Sequence, residues 1–182
     1  TDGPLDLRLN PQKGVSAAER LKELTREEFE GMMVENSDEP YALEISRVVM
    51  SHLRKGKPVE TTKDLYNCIE EALSFIPEKE RKEAVKKSCQ RTFQALRIDV
   101  NSEFEVLDRF LESLPDVLVS GGRVAILTFH SGEDRLVKKS FKKFLKQGVY
   151  SEVAQDVIRP SAKECAENPR AKSTKMRWAV KA

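Results

Sequence analysis

One stretch limits the possible folds more than any other. Val124–Phe129 reads VAILTF, apolar throughout except for Thr128. A run this apolar reads as a strand buried on both faces, typical of a parallel sheet, and it needs neighbours on either side. Gly121-Gly122 ahead of it is a turn signal. Ser131 behind it is a good N-cap, and Glu133 and Asp134 fall where the first turn of a helix favours anions. "GGRVAILTFHSGEDR" is therefore a strand–turn–helix unit. His130 and Ser131 stand at the carboxyl end of its strand, where open α/β sheets keep their ligand crevice.

The rest of the chain supplies few strands to flank this one. Ser16–Glu19 and Thr25–Glu28 are capping boxes that open two helices. Asp38, followed by Pro40, opens a third, with Tyr41, Ile45, Val48, Val49 and Leu53 as its apolar stripe. Thr61 or Thr62 caps a fourth, ended by Pro77. Glu78–Lys87 is almost wholly charged and reads as a solvated helical turn or loop. Ser88–Leu114 reads as one long helix, with no Pro or Gly inside it. The character changes at Pro115. The strand at Arg123–Phe129 follows, then an amphipathic helix over Glu133–Lys146 closed by Gly148. Two further strands are expected at Ser151–Ile158 and Lys175–Val180, with a short helical signal, "SAKE", between them. The expected strand at Arg123–Phe129 thus has tail strands for one side only. Its other edge should be open or covered by another chain, and a bare edge recruits partners, including a second copy.

Composition excludes some classes. Charged residues make up 34% of the chain, yet the formal net charge is only +2, so there is no acidic or basic tail. No apolar run reaches the length of a membrane span. The three cysteines, Cys68, Cys89 and Cys165, show no paired spacing, which suggests a reducing compartment. His52 and His130 are the only histidines; no Cys/His spacing supports zinc, and no metal is expected. Thr1 is not an initiator methionine, so processing or truncation is open.

Five segments together resemble one family. They are "DGPLDLRLN" (Asp2–Asn10), "SAAE" (Ser16–Glu19), "RTFQALRIDVNSE" (Arg91–Glu103), "GGRVAILTFHSGEDRLVK" (Gly121–Lys138) and "ENPRAKSTKMR" (Glu167–Arg177). In this order they resemble the MraW-type S-adenosylmethionine-dependent methyltransferases, which modify a cytosine N4 in small-subunit ribosomal RNA. The resemblance implies an α/β fold: the C-terminal part of a Rossmann-like methyltransferase sheet with an inserted all-helical domain. Residues 1–15 and 88–182 would be the partial Rossmann-like domain and residues 16–87 the helical, substrate-recognition insertion. The family's glycine-rich cofactor loop lies ahead of the DGPLD segment. This sequence has no G-x-G-x-x-G, so the S-adenosylmethionine site is expected upstream of Thr1 and the chain alone is expected to be inactive. Ribosomal RNA or the small ribosomal subunit is the implied partner. The implied location is the cytoplasm, or an organelle stroma or matrix in a eukaryote. A non-catalytic RNA- or ribosome-binding relative and a protein-interaction module stand as alternatives.

The candidate site residues follow. Asp2, Gly3, Pro4, Asp6 and Arg8 read either as a structural turn or, through the resemblance, as a loop bordering the active site. Cytosine methylation on the exocyclic amine needs the base out of its stack with its edge hydrogen-bonded. In the second reading Asp2, Asp6 and Arg8 are catalytic, Gly3 and Pro4 contact substrate, and the family's usual last acid is replaced by Asn10. Arg97 and Asn101 share a helix face and either bond neighbouring backbone or face the substrate crevice. His130 orients the base or accepts a proton, while Ser131 caps the helix or meets substrate. The family usually has a leucine after this serine; Gly132 would loosen the turn. Lys138, Lys142 and Lys146, and a second cluster of Arg170, Lys172, Lys175 and Arg177, are either solvated or contacts to RNA phosphate.

Overall fold

The computed structural model describes residues 2–182; Thr1 lies outside the described residues. The chain is a mixture of helices with one small sheet, divided into two compact units, the first running to Ser102 and the second from Glu103 to Ala182.

The first unit is helical. It contains α1 (Ala17–Glu23), α2 (Arg26–Ser37), α3 (Ala42–Arg54), α4 (Thr62–Ala72) and α5 (Glu78–Val100). Reciprocal capping boxes start α1 at Ser16/Glu19, α2 at Thr25/Glu28 and α4 at Thr61/Asp64, each satisfying two backbone donors that a helix start leaves open. Asp38 does not open the third helix. It closes α2 in the left-handed conformation, φ 52°, and its N–H donates back to Met33 and Val34, while Tyr41 stands at the start of α3. The charged stretch Glu78–Lys87 is no loop but the first half of α5. Val85 and Ser88 are buried, so one stripe of the segment meets the core and its charges occupy the remaining faces. Leu5, Leu21, Phe29, Met33, Ile45, Leu65, Ile69, Leu73 and Leu96 fill that core. Buried Glu39 accepts from the Ser88 hydroxyl at 2.8 Å and the Tyr41 N–H at 3.0 Å, tying the α2–α3 turn to α5.

The expected single helix Ser88–Leu114 is two. α5 ends at Asn101, Ser102 takes a left-handed conformation at φ 49°, and α6 (Glu103–Val117) starts afresh. Pro115 lies inside the last turns of α6 and does not end it. The division between the two compact units falls at this break.

The second unit contains α6, β1 (Arg123–Thr128), α7 (Ser131–Lys146), β2 (Tyr150–Val153), α8 (Ala162–Glu167) and β3 (Lys175–Lys181), with a 3-10 turn at Pro169–Ser173. The sheet order is β1-β3-β2, antiparallel throughout. β1 runs from Arg123 opposite Val180 to Thr128 opposite Lys175. β2 is shorter than expected, and only an isolated bridge, Ile158 to Met176, continues it. Leu111, Leu114, Val137, Phe141, Phe144, Tyr150 and Ala179 form the core. The Tyr150 ring meets Phe141 and Phe144 edge-on at 5.7 and 5.6 Å.

The parallel, doubly buried setting expected for β1 is corrected on two counts. Its partner β3 is antiparallel, and its exposure alternates, with Arg123, Ala125 and Leu127 outward. The apolar run suits burial on both faces, but the described residues cover only one. Among them, β1 has a ladder neighbour on one side alone, as the shortage of strands requires.

Candidate functional site

The motif residues fall into two local constructions, one in each unit. The first is the loop from Asp2 to Gly14. The Asp2 carboxylate accepts from the N–H of Gly3 (3.0 Å) and Lys63 (3.1 Å) and from the Thr62 hydroxyl (3.3 Å), so it serves the start of α4. These bonds, led by the Lys63 N–H, hold it below the usual carboxylate range. Gly3 accepts from the Thr62 N–H at 2.8 Å, and Pro4 bridges to Thr61. Arg8 grips both oxygens of Asp6, at 2.6 and 2.8 Å, and its third arm donates to the Gly14 carbonyl at 2.8 Å. The guanidinium lowers the Asp6 carboxyl accordingly. Asn10 accepts from the Gln12 N–H at 3.1 Å, an Asx turn that an aspartate would also make.

Asn101 locks this loop. Its amide donates to the Leu7 carbonyl (2.9 Å) and the Arg97 carbonyl (2.8 Å), and its oxygen accepts from the Leu9 N–H (2.8 Å). Between these anchor points Leu7 is left-handed at φ 65°, which a leucine tolerates only where surroundings enforce it. Arg97 is exposed one helical turn earlier. Of the two readings offered for Asn101, bonding to backbone is the one its side chain adopts.

The second construction is the turn from β1 into α7. The N-cap is His130, not Ser131, which is already the first helical residue. His130 Nδ1 accepts from the Glu133 N–H at 3.4 Å, and the Glu133 carboxylate accepts from the Phe129 N–H at 2.8 Å. Burial pushes the Glu133 carboxyl up, but the His130 ring and that N–H outweigh it, leaving it below its ordinary range. With Nδ1 accepting, a neutral imidazole carries its proton on Nε2. Nε2 is buried, 3.4 Å from Glu133 Oε1 but outside hydrogen-bonding geometry.

Gly132 does not loosen the turn. A Cβ there would collide with the Phe104 ring, which lies 5.9 Å from the His130 ring. The aromatic occupies the space a leucine side chain would fill.

Asp134, one turn into α7, meets Arg177 from β3: Nε at 2.8 Å and Nη2 at 3.3 Å, with the Lys175 ammonium at 3.9 Å. Burial raises the Asp134 carboxyl, and Arg177 and then Lys175 bring it below the usual range. Arg177 is buried and Lys175 half-buried. Both anchor the helix start to the sheet. Lys138, Lys142 and Lys146 are exposed along α7, and Arg170 and Lys172 are exposed on the 3-10 turn. Asp134, Glu133 and Phe104 were missed as site residues. The first two were visible only as favourable charges in a first turn, and nothing local in the sequence marks Phe104.

Among the described residues, one group could hold a metal ion: Glu103, His130 and Glu133, with ligand atoms within 4.8 Å of one another. An Nε2–H offers no lone pair to a metal, and binding there would require His130 to give up its cap. No strand of the described residues runs into a glycine-rich turn, and Gly132, in the turn after β1, has its space filled by Phe104. No helix of the described residues is long and apolar enough to cross a membrane.

Residues 1–182 match the family described as the MraW methylase family. A protein of Lachnoclostridium phytofermentans named Ribosomal RNA small subunit methyltransferase H 1 is 66% identical over 182 residues, all of this chain and 50% of that protein. Its namesake from Agathobacter rectalis is 62% identical, covering 100% of this chain and 52% of that protein. Ribosomal RNA small subunit methyltransferase H 2 of Alkaliphilus metalliredigens is 59% identical, with 100% and 52% covered. The chain spans about half the length of these curated relatives.

Proposed function

This chain belongs to the MraW methylase family, and from that premise we propose that it is the substrate-facing part of a methyltransferase acting on cytosine N4 of small-subunit ribosomal RNA. S-adenosylmethionine supplies the methyl group when bound. The remaining part of the longer protein, in this reading, holds it, and the chain alone is inactive. In this reading residues 16–87 are the inserted recognition module, and the sheet is the end of a Rossmann-like one whose next strand pairs with the open edge of β1. A second copy of the chain is the competing occupant of that edge. No metal takes part, and the protein works in the cytoplasm or an equivalent compartment.

One observation carries the mechanistic side of the proposal. The family motif residues are consumed in bracing two loops rather than left free as acids and bases. Asp2, Asp6, Arg8 and Asn101 fix the loop around left-handed Leu7; His130, Glu133, Asp134 and Arg177 fix the β1–α7 turn. Such bracing suits a reaction in which orientation of an extruded base supplies most of the acceleration. In this reading Gly3, Pro4 and Arg97 in the first unit and Ser131 in the second are substrate contacts, while Lys138, Lys142, Lys146, Arg170 and Lys172 meet phosphates.

The test uses the longer protein, purified small subunits and nucleoside mass spectrometry. N4-methylcytidine should form. K138A/K142A/K146A should raise KM with little change in kcat, and Asn101→Ala should lower kcat. Methyl incorporation at another atom, or none in a fully folded, donor-binding protein, would favour the non-catalytic RNA-binding alternative.

A further inference from the structure

A groove of about 620 Å³ lies in the first unit, between α4 and the N-terminal half of α5, and its lining includes no residue of the loop from Asp2 to Gly14. Lys79, Lys82 and Lys86 line one wall. They stand three and four residues apart, so they share a helix face and span roughly 10 Å of helix axis. All three are exposed, and among the described residues none has an ion-pair partner. Tyr66 lines the groove from α4 with 42% of its surface exposed, its hydroxyl 3.4 Å from Glu70. Glu83, the acid in the lining, stands 3.5 Å from the Lys87 ammonium, which offsets its charge toward the groove. A row of unpaired cations beside an exposed aromatic face is the pairing that single-stranded nucleic acid requires: charge to track the backbone and a platform for a base. An acidic peptide would use the cations and leave the ring idle.

We propose that the groove between α4 and α5 is a binding site for single-stranded RNA, with Tyr66 stacking on a base and Lys79, Lys82 and Lys86 meeting the adjacent phosphates. It goes beyond the methyl-transfer reading, needs no residue of either braced loop, and gives the longer protein a second hold on its RNA.

The experiment uses the 182-residue chain and fluorescein-labelled oligouridine of about 12 nucleotides, with anisotropy measured over a range of salt. No methyl donor is present, so its outcome is independent of catalysis. K79A/K82A/K86A should weaken binding about tenfold near 50 mM salt and lower the log–log salt slope by about 2, at roughly 0.7 for each phosphate. Tyr66→Leu should weaken it about five- to tenfold at every salt concentration with the slope retained, and Tyr66→Phe should bind as the wild type does, because the stack needs the ring alone. Unchanged far-UV circular dichroism checks the folding of each variant, and all four positions are exposed. Ultraviolet cross-linking of 4-thiouridine RNA should map to Tyr66 or its neighbours. The proposal is overturned if the triple variant keeps both affinity and slope. It is equally overturned if polyglutamate displaces the RNA as well as unlabelled RNA does while Tyr66→Leu has no effect.

Discussion

The two units solve the same packing problem with different completeness. The first buries its apolar stripes against one another, and its helices satisfy their backbone groups internally; the large apolar side chains it leaves out, such as Leu9, Val34 and Phe75, are scattered along the chain. The second leaves Val106, Phe110 and Val117 on α6, Val119 after it, and Leu127 and Phe129 at β1 exposed, beside a strand with one ladder neighbour. Single exposed apolar residues are ordinary, but an apolar strand with an open edge is a pairing surface. A helical unit can be self-sufficient where a sheet, by its hydrogen-bonding, cannot end without leaving donors and acceptors open.

The largest expected effect sharpens that contrast. Phe29→Ala, at a fully buried position, should cost the first unit about 3–5 kcal/mol, whereas Leu127→Asp should cost the second under about 0.5 kcal/mol and raise its solubility. Urea unfolding followed by probes in each unit separates the two. A large loss from Leu127→Asp would mean that the β1 face is already covered.

Next in size is the anchor between α7 and the sheet. The side chains of Arg177 and Asp134 are 9% and 13% exposed, so Arg177→Met, which strands the Asp134 charge, should cost about 3 kcal/mol. The pH dependence follows from the lowered Asp134 carboxyl. The pair's contribution is present above the unfolded carboxylate value of about 3.9 and disappears as the pH falls through the lower folded value. Asp134→Asn should therefore flatten the acid limb of the second unit's stability curve while leaving that of the first unit alone. Unaltered acid limbs in both would remove the pair from the account.

Smaller effects probe the turn itself. Gly132→Leu should destabilise by about 2 kcal/mol through collision with Phe104, and adding Phe104→Ala should recover part of that loss. An additive double mutant would show that the two positions do not share the space. His130→Ala should cost about 1 kcal/mol as a lost cap, and His130→Asn should cost little, because asparagine is a good N-cap. Equal losses from both substitutions would argue for a role beyond the cap.

Local chemistry was legible in the sequence, and pairing at a distance was not. Ser16 and Thr25 announce their helices because each capping box is complete within four residues. The break at Asn101-Ser102 carries neither Gly nor Pro; it depends on Asn101 bonding to Leu7 and Leu9, over ninety positions away. Ser131 was the better cap by residue type, yet the chain enters α7 one residue earlier, and an imidazole accepts the bond instead. Lys175 and Arg177 read as surface charge because Asp134 lies forty-odd residues before them. The apolar run of β1 was read correctly as a strand, but the parallel setting with neighbours on both sides was not what the described residues form, since one antiparallel neighbour stands beside it.

The difference between the units is tested most directly by amide hydrogen exchange on the chain in dilute solution. The buried amides of α2 and α5 should exchange only through unfolding of the first unit, while the β1 amides not bonded to β3 should exchange orders of magnitude faster. Protection of those β1 amides equal to that in α2 and α5, at concentrations where the chain is monomeric, would contradict the account.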